Sequence, residues 1–343
     1  LTEASTGRVI YEKNADESLH PASITKIMTL LIIFDAVDDG SISPEDTVTV
    51  SEHAASMGGS QVFLEPGETQ TVETMIKCIA IASANDACVA MAEHISGSED
   101  AFVQSMNERA EALGMNNTHF VNCCGLDADG HMTTARDVAI MSRELITAHP
   151  AIHDYSCIWM DTITHVTRRG ESEFVLNNTN KLLKQYEWAT GLKTGSTSLA
   201  KFCLSATARR NDIELISVIM ASPSGKTRVS DSIALLNYGY GICSLYHDNN
   251  MPSIDVIPIK GGIRSDISVE YSSQMNYLFT DKYDASLIES HAEYLEDLEA
   301  PVQKGDVIGQ LTYTYDGKFM DSIDIIASIL SPGFISISSL FCA

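Results

Sequence analysis

The spacing of apolar residues changes period near residue 244, and no other feature constrains the fold as tightly. Up to about Tyr240, several segments repeat their apolar residues at helical spacing: Ser23 to about Asp38, Val72 to Ala82, about Ser98 to Leu113, and from "TTARDV" to about Ala148. From Ser244 onward, "IDVIPIKGG", "SDISVEY", "MNYLFTD", "GDVIGQLTYTY" and "DSIDIIASI" are short alternating runs divided by turn residues. A chain of 343 residues is also longer than one core commonly spans. The expected division is a mixed α+β domain over 1–243, a small all-β, sandwich-like domain over 244–328, and a tail over 329–343.

The first domain reads as an antiparallel sheet with flanking helices and a helical insert. "ASTGR" supplies a turn and "VIYEKN" alternates as a strand does. "TITHVTRR" and "EFVLNNTN" are strands around a turn at Gly170, and "KFCLSATARRNDIELISVIMAS" is two strands joined at Arg210 to Asp212. Helical signal pauses between Ser83 and Asp86. Thr134 and Asp137 make a capping-box-like start, and a helix from about Val229 to Tyr240 closes the domain.

Composition excludes several classes of function. Against 22 basic residues stand 46 acidic ones, a net charge of −24 that repels a phosphate backbone, so nucleic acid is not an expected partner. No run approaches the roughly 20 apolar residues of a membrane helix; Ile27 to Phe34 is broken by Thr29. The ending "SPGFISISSLFCA" has neither the length of a span nor a charged amphipathic face, which leaves peripheral membrane association open. The chain opens on a turn and strand, so a signal peptide is expected to have been removed.

No metal or other cofactor is expected. His149 and His153 have the spacing of a metal pair, but Pro150 interrupts them and no third ligand is evident. "GLDADG" lacks the remaining ligand positions of a calcium loop. The eight cysteines include no C-x-x-C pair. Cys78, Cys88 and Cys203 sit among Ile, Ala and Leu as small core hydrophobes. No G-x-S-x-G elbow marks an α/β-hydrolase.

Three short motifs carry the chemistry. "SITK" places Lys26 three residues after Ser23, on one face of a helix. Alone it reads as helix grammar, with Ser23 as a cap and Lys26 as a first-turn residue. "SAND" holds Ser83 and Asn85 in a break between helices, and "KTGS" places Lys193, Thr194, Gly195 and Ser196 at the start of a strand pair. S-x-x-K, S-x-N and K-T-G in this order are the set carried by penicillin-binding proteins and serine β-lactamases.

The chain resembles the low-molecular-mass penicillin-binding proteins that act as serine-type D-alanyl-D-alanine carboxypeptidases, the S11 peptidases. "ASTGRVIYEKNAD", "SANDACVAMAEHISGSEDAFV", "GLDADGHMTTARD", "GLKTGST" and "APVQKGDVIGQL" carry the resemblance over nearly the whole length. It implies a β-lactamase/transpeptidase-like catalytic domain and an extracytoplasmic place in the cell envelope. The implied reaction removes the terminal D-alanine of peptidoglycan stem peptides through an acyl-serine, which β-lactams also form. Ser23 would be acylated, with Lys26 taking its proton once its pKa is lowered by burial or by Lys193.

In the same reading Ser83 sits between Lys26 and Lys193 and protonates the leaving amine. Asn85 orients Lys26 and exchanges hydrogen bonds with the substrate amide, and the backbone N–H groups of Ser23 and Ser196 form the oxyanion hole. Thr194 and Arg228 would bind the substrate carboxylate; the competing reading of Arg228 is a solvent-facing residue at a helix start. Ser196 stands where some members carry histidine. A β-lactamase or a β-lactam-binding sensor on the same scaffold is the alternative, although no segment resembles the loop that holds the deacylating water of class A enzymes.

Overall fold

The structure is a computed structural model that describes residues 1–168, 170–254 and 256–330. The chain divides into two compact units, Leu1–Gly241 and Ile242–Ala343.

The elements of the first unit are, in order, β1 (Thr2–Glu3), α1 (Lys26–Asp38), β2 (Thr47–Thr49), α2 (Glu52–Ala55), β3 (Thr69–Thr71) and α3 (Val72–Ala80). Next come α4 (Asn85–Ser96), α5 (Glu99–Ala112), α6 (Ala135–Ala148), α7 (Ile152–Ser156), β4 (Met160–Thr167) and β5 (Gly170–Asn177). β6 (Ala189–Thr197), β7 (Lys201–Arg210), β8 (Ile213–Ser222) and α8 (Gly225–Ile242) close the series. The main sheet runs β1-β8-β7-β6 and is antiparallel throughout.

Helix α1 is the axis of this unit. Ile27, Met28, Leu30, Leu31 and Ile33 are all buried, on more than one face. A helix that is apolar all round belongs inside a core, and α1 packs against α3, α4, α5 and α6. The side chains of Thr71, Ser98 and Thr134 accept backbone N–H groups at the starts of α3, α5 and α6, satisfying donors that a helix start leaves open. Gly97 ends α4 with φ +79°, in the left-handed region that glycine adopts without penalty.

The mixed α+β architecture agrees with the sequence expectation, and several local readings need correction. The run 9–14 is not a strand: Val9 makes an isolated bridge to Thr2, and Ile10 and Tyr11 bond back to Leu1 alone. Asn85 and Asp86 already belong to α4, so the interruption lies before them, at the turn holding Ser83 with φ +62°. α8 is longer at both ends than its apolar spacing predicts.

In the second unit, β12 (Val269–Tyr271), β16 (Lys318–Ala327), β15 (Val307–Tyr315) and β14 (Ile288–Tyr294) form an antiparallel sheet in that order. β9 (Ser244–His247) pairs with β13 (Asn276–Phe279), and β10 (Ile257–Pro258) with β11 (Asp266–Ile267). The sequence reading passed over β14, whose "IESHAEY" is mostly exposed and lacks apolar alternation. Two apolar groups fill the unit, one around Ile267, Ile308 and Ile325 and one around Met275, Leu311 and Tyr313. Cys78, Cys88, Cys123, Cys124 and Cys203 are buried free thiols, and Cys157 is an exposed one.

Candidate active site

A single 3-10 turn, Ala22–Thr25, leads directly into α1 and presents Ser23 at the mouth of the core. Ala22 has φ +49°, an uncommon conformation for a residue with a side chain. Lys26 follows one turn later and is completely buried. Its Nζ donates to Ser23 Oγ at 3.2 Å, to Asn85 Oδ1 at 2.6 Å and to the Cys124 carbonyl at 2.6 Å. Three acceptors match the three protons of an ammonium group. All three are neutral, so the amino group is held by dipoles rather than by a carboxylate.

The second cation is arranged in the same way. Lys193, on β6, is 2% exposed. Its Nζ donates to Ser83 Oγ at 2.8 Å and to the Thr194 carbonyl at 3.2 Å. Burial holds its amino group well below the ordinary lysine value, and the charges of Lys26 and Arg228 push in the same direction. Sequence reasoning expects Lys193 to act on Lys26; the structure adds the reverse influence, Lys26 being among the causes that lower Lys193. The nearby Cys88 thiol is pushed up to about 12 by burial and stays protonated.

Five residues from three separate motifs therefore meet: Ser23 and Lys26 at the start of α1, Ser83 and Asn85 at the start of α4, and Lys193 on β6. Within this cluster Ser83 is bonded to Lys193, and Lys26 to Ser23 and Asn85.

The K-T-G strand lies against the Ser23 turn. A Cβ on Gly195 would stand 2.9 Å from the Ser23 nitrogen and 3.0 Å from that of Ile24, so only glycine allows this approach. Thr194 is buried, its hydroxyl 2.7 Å from that of Thr179, while Ser196 is exposed. Arg228 is half-buried. Its Nη1 donates to the carbonyls of Gly195 at 2.9 Å and Cys203 at 3.0 Å, and its guanidinium lies over the Phe202 ring. It is thus tied to the back of the motif rather than left in solvent.

Sequence reasoning missed the segment that backs the Ser23 turn. The Cys123 carbonyl accepts from Thr29 Oγ1 at 2.5 Å, and that of Cys124 from Lys26. Gly125, at φ +86°, passes so close that a Cβ there would be 1.9 Å from the Ala22 oxygen. His131 Nδ1 accepts from Val121 N at 2.9 Å, so its Nε2–H donates to Thr25 Oγ1 at 2.8 Å. Burial lowers this imidazole to about 4 and keeps it neutral. Carbonyl acceptors leave no mark in a sequence; the one available signal was that this segment includes "GLDADGH".

His149 and His153 do not converge on a metal. His149 bonds to Asp35 at 2.7 Å and Asp38 at 2.6 Å, and His153 faces Glu214 at 3.0 Å. Among the described residues no group of His, Cys, Asp and Glu is arranged to hold a metal ion.

Two family models match the chain: one described as D-alanyl-D-alanine carboxypeptidase over residues 1–224, and one described as penicillin-binding protein 5, C-terminal domain, over residues 251–328. D-alanyl-D-alanine carboxypeptidase DacF of Bacillus subtilis (strain 168) is 40% identical over 341 residues, covering 98% of this chain and 86% of its own. D-alanyl-D-alanine carboxypeptidase DacA of Escherichia coli (strain K12) is 34% identical over 351 residues, 94% of this chain and 80% of its own. The crystal structure of penicillin binding protein 5 from Haemophilus influenzae superposes with a TM-score of 0.80 at 29% identity, over 96% of each chain. The resemblance that the three motifs carried is thus met by matches across both units, and the chain belongs to the D-alanyl-D-alanine carboxypeptidase family of S11 serine peptidases.

Proposed function

We propose that this hydrolase cleaves the terminal D-alanyl-D-alanine bond of peptidoglycan stem peptides with Ser23 as nucleophile and the first unit as its catalytic domain. The observation that carries the reading is the buried Lys26 Nζ 3.2 Å from Ser23 Oγ, with a second buried lysine 2.8 Å from Ser83. A serine hydroxyl attacks a carbonyl only as a base removes its proton. Lys26 is the group in reach, and as a neutral amine its Nζ takes the Ser23 proton. Asn85 fixes Lys26 through its amide oxygen.

Ser23 Oγ then bonds to the penultimate D-alanine carbonyl carbon, and the C–N bond to the last D-alanine breaks. The leaving amine takes a proton from the Ser83 hydroxyl, which Lys193 replenishes. Lys193 suits this role because burial has loosened its hold on a proton. Water then hydrolyses the acyl-serine. The backbone N–H groups of Ser23 and Ser196 are assigned to the carbonyl oxygen as it becomes an oxyanion.

Charge supports the substrate assignment. Lys26, Lys193 and Arg228 gather in a protein of net charge −24, and such a local cationic field favours a ligand that ends in a carboxylate. Thr194 and Arg228 are assigned to that carboxylate. A β-lactam has the same combination of strained amide and carboxylate and is expected to acylate Ser23. The substrate class puts the work in the cell envelope, outside the cytoplasm. No helix among the described residues is long and apolar enough to cross a membrane; the tail over 331–343, on which the question of peripheral attachment turned, lies outside the described residues.

Intact-mass measurement with penicillin, in parallel with D-alanine release from a peptide ending in D-Ala-D-Ala, tests the reading. The wild type should give a long-lived adduct and release D-alanine, and Ser23→Ala should do neither. Fast multiple-turnover penicillin hydrolysis would favour the β-lactamase alternative. A stable adduct without peptide cleavage would favour the sensor.

A further inference from the structure

Asp86 is a fully buried carboxylate next to Asn85, on the first turn of α4, and the reaction assigned above makes no use of it. Among the described residues it has no cationic partner. Backbone N–H groups satisfy it instead: Val62 at 3.1 and 3.3 Å, Leu64 at 3.1 Å and Ala87 at 3.0 Å. A buried charge is tolerated only when it is well hydrogen-bonded, and N–H bonds to a carboxylate are among the stronger ones. Val62 and Leu64 are buried, whereas Phe63 between them is 63% exposed at φ +63°. Pinning the amides on either side of Phe63 holds it in that costly conformation.

The same short segment grips Asn85. The Gly58 carbonyl accepts from Asn85 Nδ2 at 2.6 Å, and the Ser60 carbonyl from Asn85 N at 2.7 Å. Between them Gly59, at φ +82°, comes so close that a Cβ would lie 2.8 Å from Asn85 Nδ2. With the amide nitrogen held by Gly58, the amide oxygen faces Lys26 Nζ at 2.6 Å. The reverse orientation would set N–H donors against an ammonium group.

We propose that Asp86 is a positioning residue: by clamping the segment 58–64 it makes the Gly58 and Ser60 carbonyls hold the Asn85 amide with its oxygen on Lys26. The proposal rests on the reading of Lys26 as the group that deprotonates Ser23. Asp86 itself touches neither that serine nor its lysine. Its effect therefore reaches the chemical step through Asn85 and Lys26.

The experiment is the time course of acylation by benzylpenicillin, followed by intact mass over a range of concentrations, for wild type and Asp86→Asn. The variant has nearly the same shape but offers one acceptor oxygen where the carboxylate offers two. Its limiting first-order acylation constant should fall about tenfold or more, the cost of a misplaced catalytic group. Final labelling should stay at the wild-type value, and half-saturating concentration should change less than the rate constant.

An unchanged acylation constant overturns the proposal. So does a change confined to half-saturation or to the labelled fraction, since that marks binding or simple misfolding. If Asp86→Asn does not fold, Gly59→Ala asks the same question from the segment's side, and wild-type acylation by that variant overturns it equally. A wild type that takes up no penicillin at all defeats the functional reading first, and this inference with it.

Discussion

Lys193 carries an amino group into a site that is 2% exposed, where the Ser83 hydroxyl, the Thr194 carbonyl and no carboxylate receive it. Because its folded pKa lies below the ordinary 10.5, folding is penalised wherever the unfolded lysine is charged. The penalty is complete below the folded pKa and fades as pH rises toward 10.5. Lys193→Met should therefore unfold at a higher denaturant concentration than wild type at neutral pH, by about 1 kcal/mol or more. The gap should narrow as unfolding is repeated nearer the ordinary lysine value, and penicillin acylation should be lost. The sequence identified this lysine by its K-T-G neighbours. It could not show that this lysine is depressed, since that depends on how completely it is buried and on what surrounds it.

At the level of elements, the site is a meeting of a 3-10 turn, two helix starts and a strand, held by close backbone approaches. Gly125 is the tightest of them. Alanine there would put its Cβ 1.9 Å from the Ala22 oxygen and keep φ at +86°. Gly125→Ala should cost about 2 kcal/mol or more in thermal unfolding and slow acylation of Ser23 about tenfold by shifting the turn. Gly130 makes the control: it has φ +80°, but nothing lies within 4 Å of its Cβ position. Gly130→Ala should show only the backbone cost, about 1 kcal/mol, with wild-type acylation. Spacing alone placed Ser23 and Lys26 on one helical face. It gave no sign that the turn needs a glycine more than a hundred positions away in sequence, because that demand comes from a packed neighbour as well as from the positive φ of Gly125.

In the whole molecule, every residue of the cluster lies in the first unit, while Ile325 is fully buried in the apolar core of the second. Ile325→Ala should destabilise that unit by about 2–5 kcal/mol, the usual cost of such a cavity, in calorimetric unfolding. The rate of penicillin acylation should remain at the wild-type value. The change of apolar period near residue 244 gave the α+β and all-β classes directly, since burial of one face imposes period on a helix or strand. The order of the three motifs gave the family and named the five polar residues that meet. What the sequence determined, then, was periodicity and side-chain chemistry, which act over a few residues. Only the tertiary structure decided that the carbonyls of Cys124 and Gly58 hold Lys26 and Asn85, that Asp86 is satisfied by Val62 and Leu64, and that Arg228 bonds to Gly195. A carbonyl or an amide is the same in nearly every residue, so its partner is selected by where the fold brings it and not by its identity.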